Sequence, residues 1–457
     1  MIERALIDYY RCPEQFVKMS LAGELSADSG YFRFGQNICY GQSSCGSRSP
    51  GLANELYDTA PAATTETGLL RVPFDPSQVI DNLRLERYVA DSRSLDDLRR
   101  TSWQRFYYSF RRFMPVALRR ALQRTYFRDW KRRPFPRWPV DDTVDQILAR
   151  LLLLSLRSQG IARMPFVWFW PDGAPSCAIV THDVDTSVGR GRCSWLMDLD
   201  DSYGIKASFQ IVPEERYSVS PAFLDEIRGR GFEINVHDLN HDGRLFGDHE
   251  QFERRAQRIN QYAREFGARG FRSGQLYRHP DWYEALDFAY DMSIPNVAHL
   301  AVQRGGCCTV MPYFIGEIVE LPLTTTEDYS LFYILRDFSN DVWKNQLKLV
   351  TDRHGLASFI AHPDYLDADP ARRAYRAMLD RLSSLREAGR CWITLPGEVE
   401  RWWRARSRMT LVRDSDGWRI EGAGKEQARI AYAEPAGGAL VYSLEPGSVR
   451  RERTSEP

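Results

Sequence analysis

Several things are scarce in this 457-residue chain, and each shortage removes a class of function. Net charge is absent. The 61 Lys plus Arg cancel the 61 Asp plus Glu, so bulk charge selects neither nucleic acid nor an acidic ligand. Long apolar runs are absent too: the longest, residues 147–156, is broken by Arg150 and is too short to span a bilayer. The opening MIERALIDYYRCPEQF lacks a basic stretch followed by an apolar one, so a signal peptide is not expected and the expected location is cytoplasmic. The eight cysteines form no disulfide framework. The pairs Cys39/Cys45 and Cys307/Cys308 have no zinc-finger companions, and the adjacent pair reads as buried small hydrophobes ahead of a metal site. There is no internal repeat, and no Gly-rich phosphate-binding turn follows the first strand of the repeating region.

What is present has a clear order. Residues 1–84 read as an irregular N-terminal segment whose Gly, Ser and Thr clusters suggest loops or a small appended subdomain. Residues 85–165 read as a basic helical region, in which Asp129 is the only acid between Arg99 and Arg137. Its last helix is expected over 143–156, capped by Asp141 or Asp142. From 166 to 405, strands alternate with helices. Strands are expected at 177–181, 207–212, 232–237, 270–272, 292–295, 320–323, 357–361 and 391–395. Helices are expected at 194–203, 222–230, 249–266, 281–288, 342–353, 370–387 and 397–406. That alternation predicts an α/β fold with a parallel sheet, and the number of units favours a barrel over an open sheet. Residues 406–457 change to short alternating runs, a small C-terminal β appendage.

Four strand ends in this region carry chemistry. In THDVD, a period of two turns Asp183 and Asp185 to one side and His182 and Val184 to the other. Two carboxylates so close need a cation or an arginine to stay ionised; otherwise the stretch is an ordinary acidic turn. In VHDLNH, His237 and His241 stand four apart. At the start of a helical turn that spacing puts two imidazoles on one face, where they can hold a divalent metal. In GFRSG, Arg272 ends a short strand and is available to pair with a carboxylate. In FIAHP, His362 stops against a proline, either as a core histidine or as a general acid.

These stretches, in this order on successive β/α units, resemble the polysaccharide deacetylase family, the NodB-homology group of carbohydrate esterases. THDVD resembles the motif that holds a catalytic base and a metal-binding aspartate, although a valine separates the two here. HDLNH is similar to the His-Ser/Thr-x-x-His motif, with Asp238 replacing the hydroxyl residue. FRSG is similar to Arg-x-Pro, with Gly274 where proline stands. FIAHP matches the closing His-Pro. The resemblance covers about residues 170–405 and implies a distorted (β/α)7 barrel, preceded by the arginine-rich helical extension. It implies Asp183 as base, Asp185, His237 and His241 as metal ligands, Arg272 orienting Asp183 through a bidentate pair, and His362 as acid. It also implies a divalent cofactor, zinc, and a reaction that removes N-acetyl groups from a saccharide or glycan precursor. Tyr277, Asp281 and Trp282 are candidate groove residues.

Phe106, Phe110, Phe113, Ala117 and Ala121 recur at helical spacing among the arginines. The resulting basic amphipathic helix reads as an arm packed on the barrel, or as a peripheral contact with anionic lipid. No nucleic-acid-binding motif accompanies it. Two rivals to the deacetylase stand: an amide hydrolase acting on a non-carbohydrate substrate, and an inactive glycan-binding module.

Overall fold

The computed structural model describes residues 2–46, 48–53, 55–66, 68–91, 116–415 and 417–445. The chain divides into two compact units. One comprises Met1–Tyr88, Asp142–Pro175 and Arg401–Pro457, the other Val89–Asp141 and Ser176–Glu400.

In the first unit, the stretch expected to be irregular carries regular structure. It includes helices Arg4–Tyr10 and Pro76–Arg84, the hairpin Gly30–Phe34/Asn37–Gly41, and a small sheet of Met19–Leu21, Leu69–Val72 and Thr64–Glu66. Strands of three to five residues between Gly and Ser turns are too short for a period to show in the sequence. Helix Thr143–Ser158 starts where expected. Its N-cap residue Asp142 accepts from Gln146 Nε2 (2.7 Å) and makes no side-chain bond to a helix N–H. The C-terminal hairpin Ile430–Ala436/Ala439–Leu444 extends into a three-stranded sheet through Met164–Val167.

The second unit holds the sequence stretches with chemistry. Its sheet consists of β1 (Cys177–Val184), β2 (Ser208–Ile211), β3 (Glu233–His237), β4 (Gly270–Arg272), β5 (Tyr290–Asp291), β6 (Tyr313–Ile315), β7 (Ile318–Glu320), β8 (Leu356–Ile360) and β9 (Trp392–Ile393). All pairings are parallel except β6 with β7. The order is β6-β7-β5-β4-β3-β2-β1-β8, with β9 also on β1. The helices are α1 (Val116–Phe127), α2 (Ser187–Ser202), α3 (Pro221–Gly229), α4 (His249–Phe266), α5 (Asp341–Thr351) and α6 (Asp369–Glu387). Helix α2 starts seven residues before its expected position, because Thr186 caps it by accepting from Gly189 N–H while Gly189 and Gly191 dilute the helical pattern.

β1 is wholly buried and pairs in two halves. Cys177–Thr181 lie against Leu356–Ile360, and Thr181–Val184 against Ser208–Ile211. That stagger curls the sheet and carries the end of β1 beyond β8. Side chains alternate as expected. Thr181 and Asp183 turn inward to Arg272, whereas His182 turns into the helical layer. There its ring nitrogens face Ala361 O (3.0 Å) and Asp200 Oδ2 (2.8 Å), and Tyr375 Oη donates to Asp200 Oδ1 (2.7 Å).

The sheet departs from a regular (β/α)7 barrel in two ways. The 281–288 helix is a 3-10 turn, Pro280–Ala285, and the strands expected at 292–295 and 320–323 pair two residues earlier, with only the single bridge Pro295–Leu323 at those positions. Among the described residues, no backbone ladder joins β7 to β8. Threonine hydroxyls bridge that seam. Thr324 Oγ1 donates to Leu356 O (2.7 Å) and accepts from Ser358 N–H (3.0 Å), and Thr325 Oγ1 donates to Ser358 O (2.7 Å). A Thr324→Val substitution strands one buried acceptor and one buried donor, each at a cost of about 1–3 kcal/mol. Urea unfolding should show a loss in that range or larger; a change below about 0.5 kcal/mol would mean that the seam is held by other contacts.

Candidate metal centre and its acid–base partners

The ends of β1, β3, β4 and β8 bring all six expected site residues to one rim. Asp183 closes the inward face of β1, and Asp185 lies one residue past the strand. Val184 between them is buried and still on the ladder, opposite Ile211; its carbonyl accepts from Tyr217 Oη (2.6 Å). The extra residue therefore lets β1 run one position further before Asp185 enters the site.

His237 Nε2 is 3.1 Å from Asp185 Oδ1 and 3.7 Å from Asp183 Oδ2. His241 Nε2 lies 3.4 Å from Asp185 Oδ2, and His362 Nε2 3.6 Å from the same oxygen. Arg272 is fully buried, and its Nη1 donates to both Asp183 Oδ1 and Thr181 Oγ1 (2.7 Å each), while Nε donates to Met292 O (3.0 Å). The guanidinium thus gives Asp183 one hydrogen bond, not the bidentate pair expected: Nε is turned to Met292 O, and Nη2 is buried without a hydrogen-bond partner.

The two histidines do not share a helical turn. β3 ends at His237, and the loop beyond it reaches His241 through left-handed backbone at Asp238 (φ 57°) and at His241 itself (φ 54°). Gln275 and Leu276, just past β4, are left-handed as well (φ 60° and 56°). Such conformations cost about 1–3 kcal/mol each in non-glycine residues and gather where a site dictates geometry. Gly274 makes room for this loop. A Cβ there would stand 2.5 Å from Asp238 Oδ2 and 2.9 Å from His241 Cδ2.

The donor set suits a divalent cation. Ligand atoms of Asp185, His237 and His241 lie within 4.8 Å of one another, and this is the one such cluster among the described residues. His237 Nδ1 faces Arg272 O (3.0 Å), where only an N–H can bond, so neutral His237 presents its Nε2 lone pair to Asp185. Asp185 Oδ1 is buried with no hydrogen bond of acceptable geometry. Two facing lone pairs require a proton or a cation between them. Burial disfavours a charged imidazole, yet Asp183 and Asp185 outweigh it and raise the pKa of His237. Burial likewise pushes the Asp185 carboxyl up, but His241, His237 and His362 overcome it and hold the carboxyl well below its ordinary range. A divalent cation held by these residues would take the place of that proton. Two imidazoles and one carboxylate leave coordination positions open.

Asp183 is held below the ordinary carboxylate range because Arg272, then His237 and His362, exceed the effect of burial. His362 is governed by a residue that the sequence reading did not assign. Asp328 Oδ2 accepts the His362 backbone N–H (2.6 Å), and its Oδ1 faces Nδ1 (2.7 Å). Burial lowers the imidazole, but Asp328, with Asp185 and Asp183, raises it well above its ordinary value. Tyr365 stacks on the ring at 4.5 Å. The signal was TTTEDY after β7, where three hydroxyls and two acids follow an apolar run. Among the other candidates, Trp282 packs on His279 (4.2 Å, stacked) and His249 (4.8 Å). Cys307 and Cys308 are buried, with their thiols on Thr309 O (3.7 Å) and Gly306 O (3.4 Å).

No family model matches the sequence, and no curated protein matches it. Solved structures similar to this chain are polysaccharide deacetylases and related family 4 esterases. A Mycobacterium smegmatis protein assigned as a polysaccharide deacetylase is 18% identical over 52% of this chain and 93% of its own, with a TM-score of 0.42. A Bordetella bronchiseptica protein assigned as a polysaccharide deacetylase involved in O-antigen biosynthesis is 21% identical over 51% and 86% (TM-score 0.31). A Clostridium thermocellum family 4 acetyl xylan esterase in complex with a cobalt ion is 14% identical over 50% and 91% (TM-score 0.31). At TM-scores this low, the functional reading rests on the geometry of the site.

Gly274→Ala should displace His241 and lower the affinity for added Co²⁺ at least tenfold in a calorimetric titration, a size usual for changes that misplace a ligand. Unchanged affinity would show that His241 is not a ligand.

Proposed function

We propose that this protein is a divalent-metal-dependent hydrolase that removes N-acetyl groups from a carbohydrate. The observation that carries this reading is the placement of the paired lone pairs of Asp185 and His237 beside an arginine-held aspartate and an aspartate-held histidine. The motif resemblance supplies the acetylated saccharide. The nitrogen-rich, three-ligand donor set favours zinc.

A cation bound by Asp185, His237 and His241 supplies Lewis acidity toward water and the substrate carbonyl oxygen. Asp183 takes a proton from the attacking water; its Arg272 partner keeps it ionised and oriented for that step. His362 is held charged by Asp328, and its Nε2–H protonates the departing nitrogen as the C–N bond breaks. Water adds across the amide, leaving acetate and a free amino sugar. Arg272 and Asp328 touch no reacting atom in this scheme; they position the base and the acid.

The test is acetate release from a panel of N-acetylated saccharides, with zinc and with a chelator. Turnover that depends on added zinc supports the reading. Acetate release that persists in chelator removes the cation from the reaction, and no release from any saccharide favours the rival amide hydrolase or binding module. Asp183→Asn should keep zinc affinity within about threefold while turnover falls by 10²-fold or more. His237→Ala should lose the zinc itself. Normal turnover in Asp183→Asn would reassign the base.

A further inference from the structure

We propose that the groove between α1 and the segment around residues 334–342 is a second ligand subsite, which takes the phosphate of a phosphorylated N-acetyl saccharide. The proposal rests on the deacetylase reading and names its substrate class.

The groove has a cavity volume of about 540 Å³, and Phe127, Ile334, Leu335 and Val342 contribute its apolar wall. That volume falls in the range of small-molecule sites. Phe127 and Ile334 belong to a buried cluster with Leu300, against which Tyr126, Trp130, Trp138 and Tyr329 pack. The groove therefore has a fixed floor. Trp130 and Trp138 stand edge to face, with centroids 4.7 Å apart and planes at 74°. One indole face set against another edge forms a corner suited to the apolar side of a sugar ring.

The polar lining is cationic. Arg124, Arg128 and Lys131 line the groove, with Asp337 as the single acid. Three cations against one carboxylate leave two positive charges, which a phosphate or diphosphate balances and a single uronate does not. Among the described residues, no carboxylate lies within ion-pair distance of Arg124 or Lys131. Arg128 meets only Asp129 at 3.6 Å, an exposed contact of little strength. Lys131 Nζ sits 5.4 Å over the Trp130 ring, which places charge at the aromatic corner. Arg99, Arg100, Arg105, Arg111 and Arg112 of the basic run lie outside the described residues; Arg124, Arg128 and Lys131 are its members at this groove. The planar guanidinium fork matches phosphate oxygens.

The groove shares elements with the metal centre. Trp138 also borders a narrower cleft lined by Leu276, Leu323, Thr324, Thr325 and Glu327, next to Asp328. Tyr329 Oη hydrogen-bonds Gln123 of α1, and its ring lies 5.8 Å from Tyr365, the residue stacked on His362. A ligand with its acetamido group at the rim and its phosphate toward α1 uses both walls.

The experiment is calorimetry on the full chain with UDP-N-acetylglucosamine and with neutral N-acetylglucosamine. Chelator is present, so that phosphate does not bind through a cation at Asp185. The wild type should bind the nucleotide sugar at least tenfold more tightly, and Arg124→Glu/Lys131→Glu should abolish that preference. Arg124→Gln/Lys131→Gln should weaken it by a smaller factor. A wild type without preference, or a double variant that keeps it, overturns the proposal. Loss of binding to phosphatidylglycerol vesicles in the double variant, with no nucleotide-sugar binding in the wild type, also overturns it and assigns the cations to a membrane surface. Turnover of neutral chitotetraose with zinc is read separately. Its absence, together with absence of acetate release from the N-acetylated nucleotide sugar, sinks the deacetylase reading, whereas the groove stands or falls on the calorimetric preference.

Discussion

His237 is tied through Nδ1 to the carbonyl of Arg272, and this one bond sets the electrostatics of the rim. It fixes the tautomer, aims the Nε2 lone pair at Asp185, and couples β3 to the strand that delivers the guanidinium to Asp183. The same residue thus orients His237 through its carbonyl and Asp183 through its side chain. Displacing β4 would disturb both at once. The second layer follows the same logic on the other side, where Asp328 holds both the backbone and the ring of His362. His237, Asp183 and His362 each have a buried charged or carbonyl partner that orients them.

Much of this was legible in the sequence, for physical reasons. The apolar runs that become β1, β2, β3 and β8 are buried, so their hydrophobicity is continuous and their ends are marked by the first charged residue. Asp183, Asp185, His237 and His362 stand at or just past those ends, and Arg272 ends the short β4. The period of two sorted His182 from Asp183. The Asp185, His237 and His241 cluster was readable because its members stand at or just past the ends of β1 and β3.

Other features depend on contacts distant in sequence and left no local trace. The loop from His237 to His241 reads as a helical turn, but left-handed backbone at Asp238 and His241 supplies the bend. Gly274 reads as a departure from a motif, yet the missing side chain is the space that His241 occupies. The pairing of Asp328 with His362 spans two strands, and nothing near Asp328 marks its partner. The seam between β7 and β8 is invisible for the same reason: Thr324 and Thr325 replace a ladder with hydroxyls, and three threonines in a row read only as a strand end.

The stagger of β1 has a consequence for the entropy of folding. Its outer half pairs with β2, the next strand in the chain, while its inner half pairs with β8, which begins only at Leu356. Asp185, His237 and His241 all precede residue 242, so their cluster is built from elements close in the chain. His362 and its seam come with β8, and bringing that strand to β1 closes a far longer loop at a higher entropic cost. The two halves of one strand thus join the most local contacts of the rim to its least local ones.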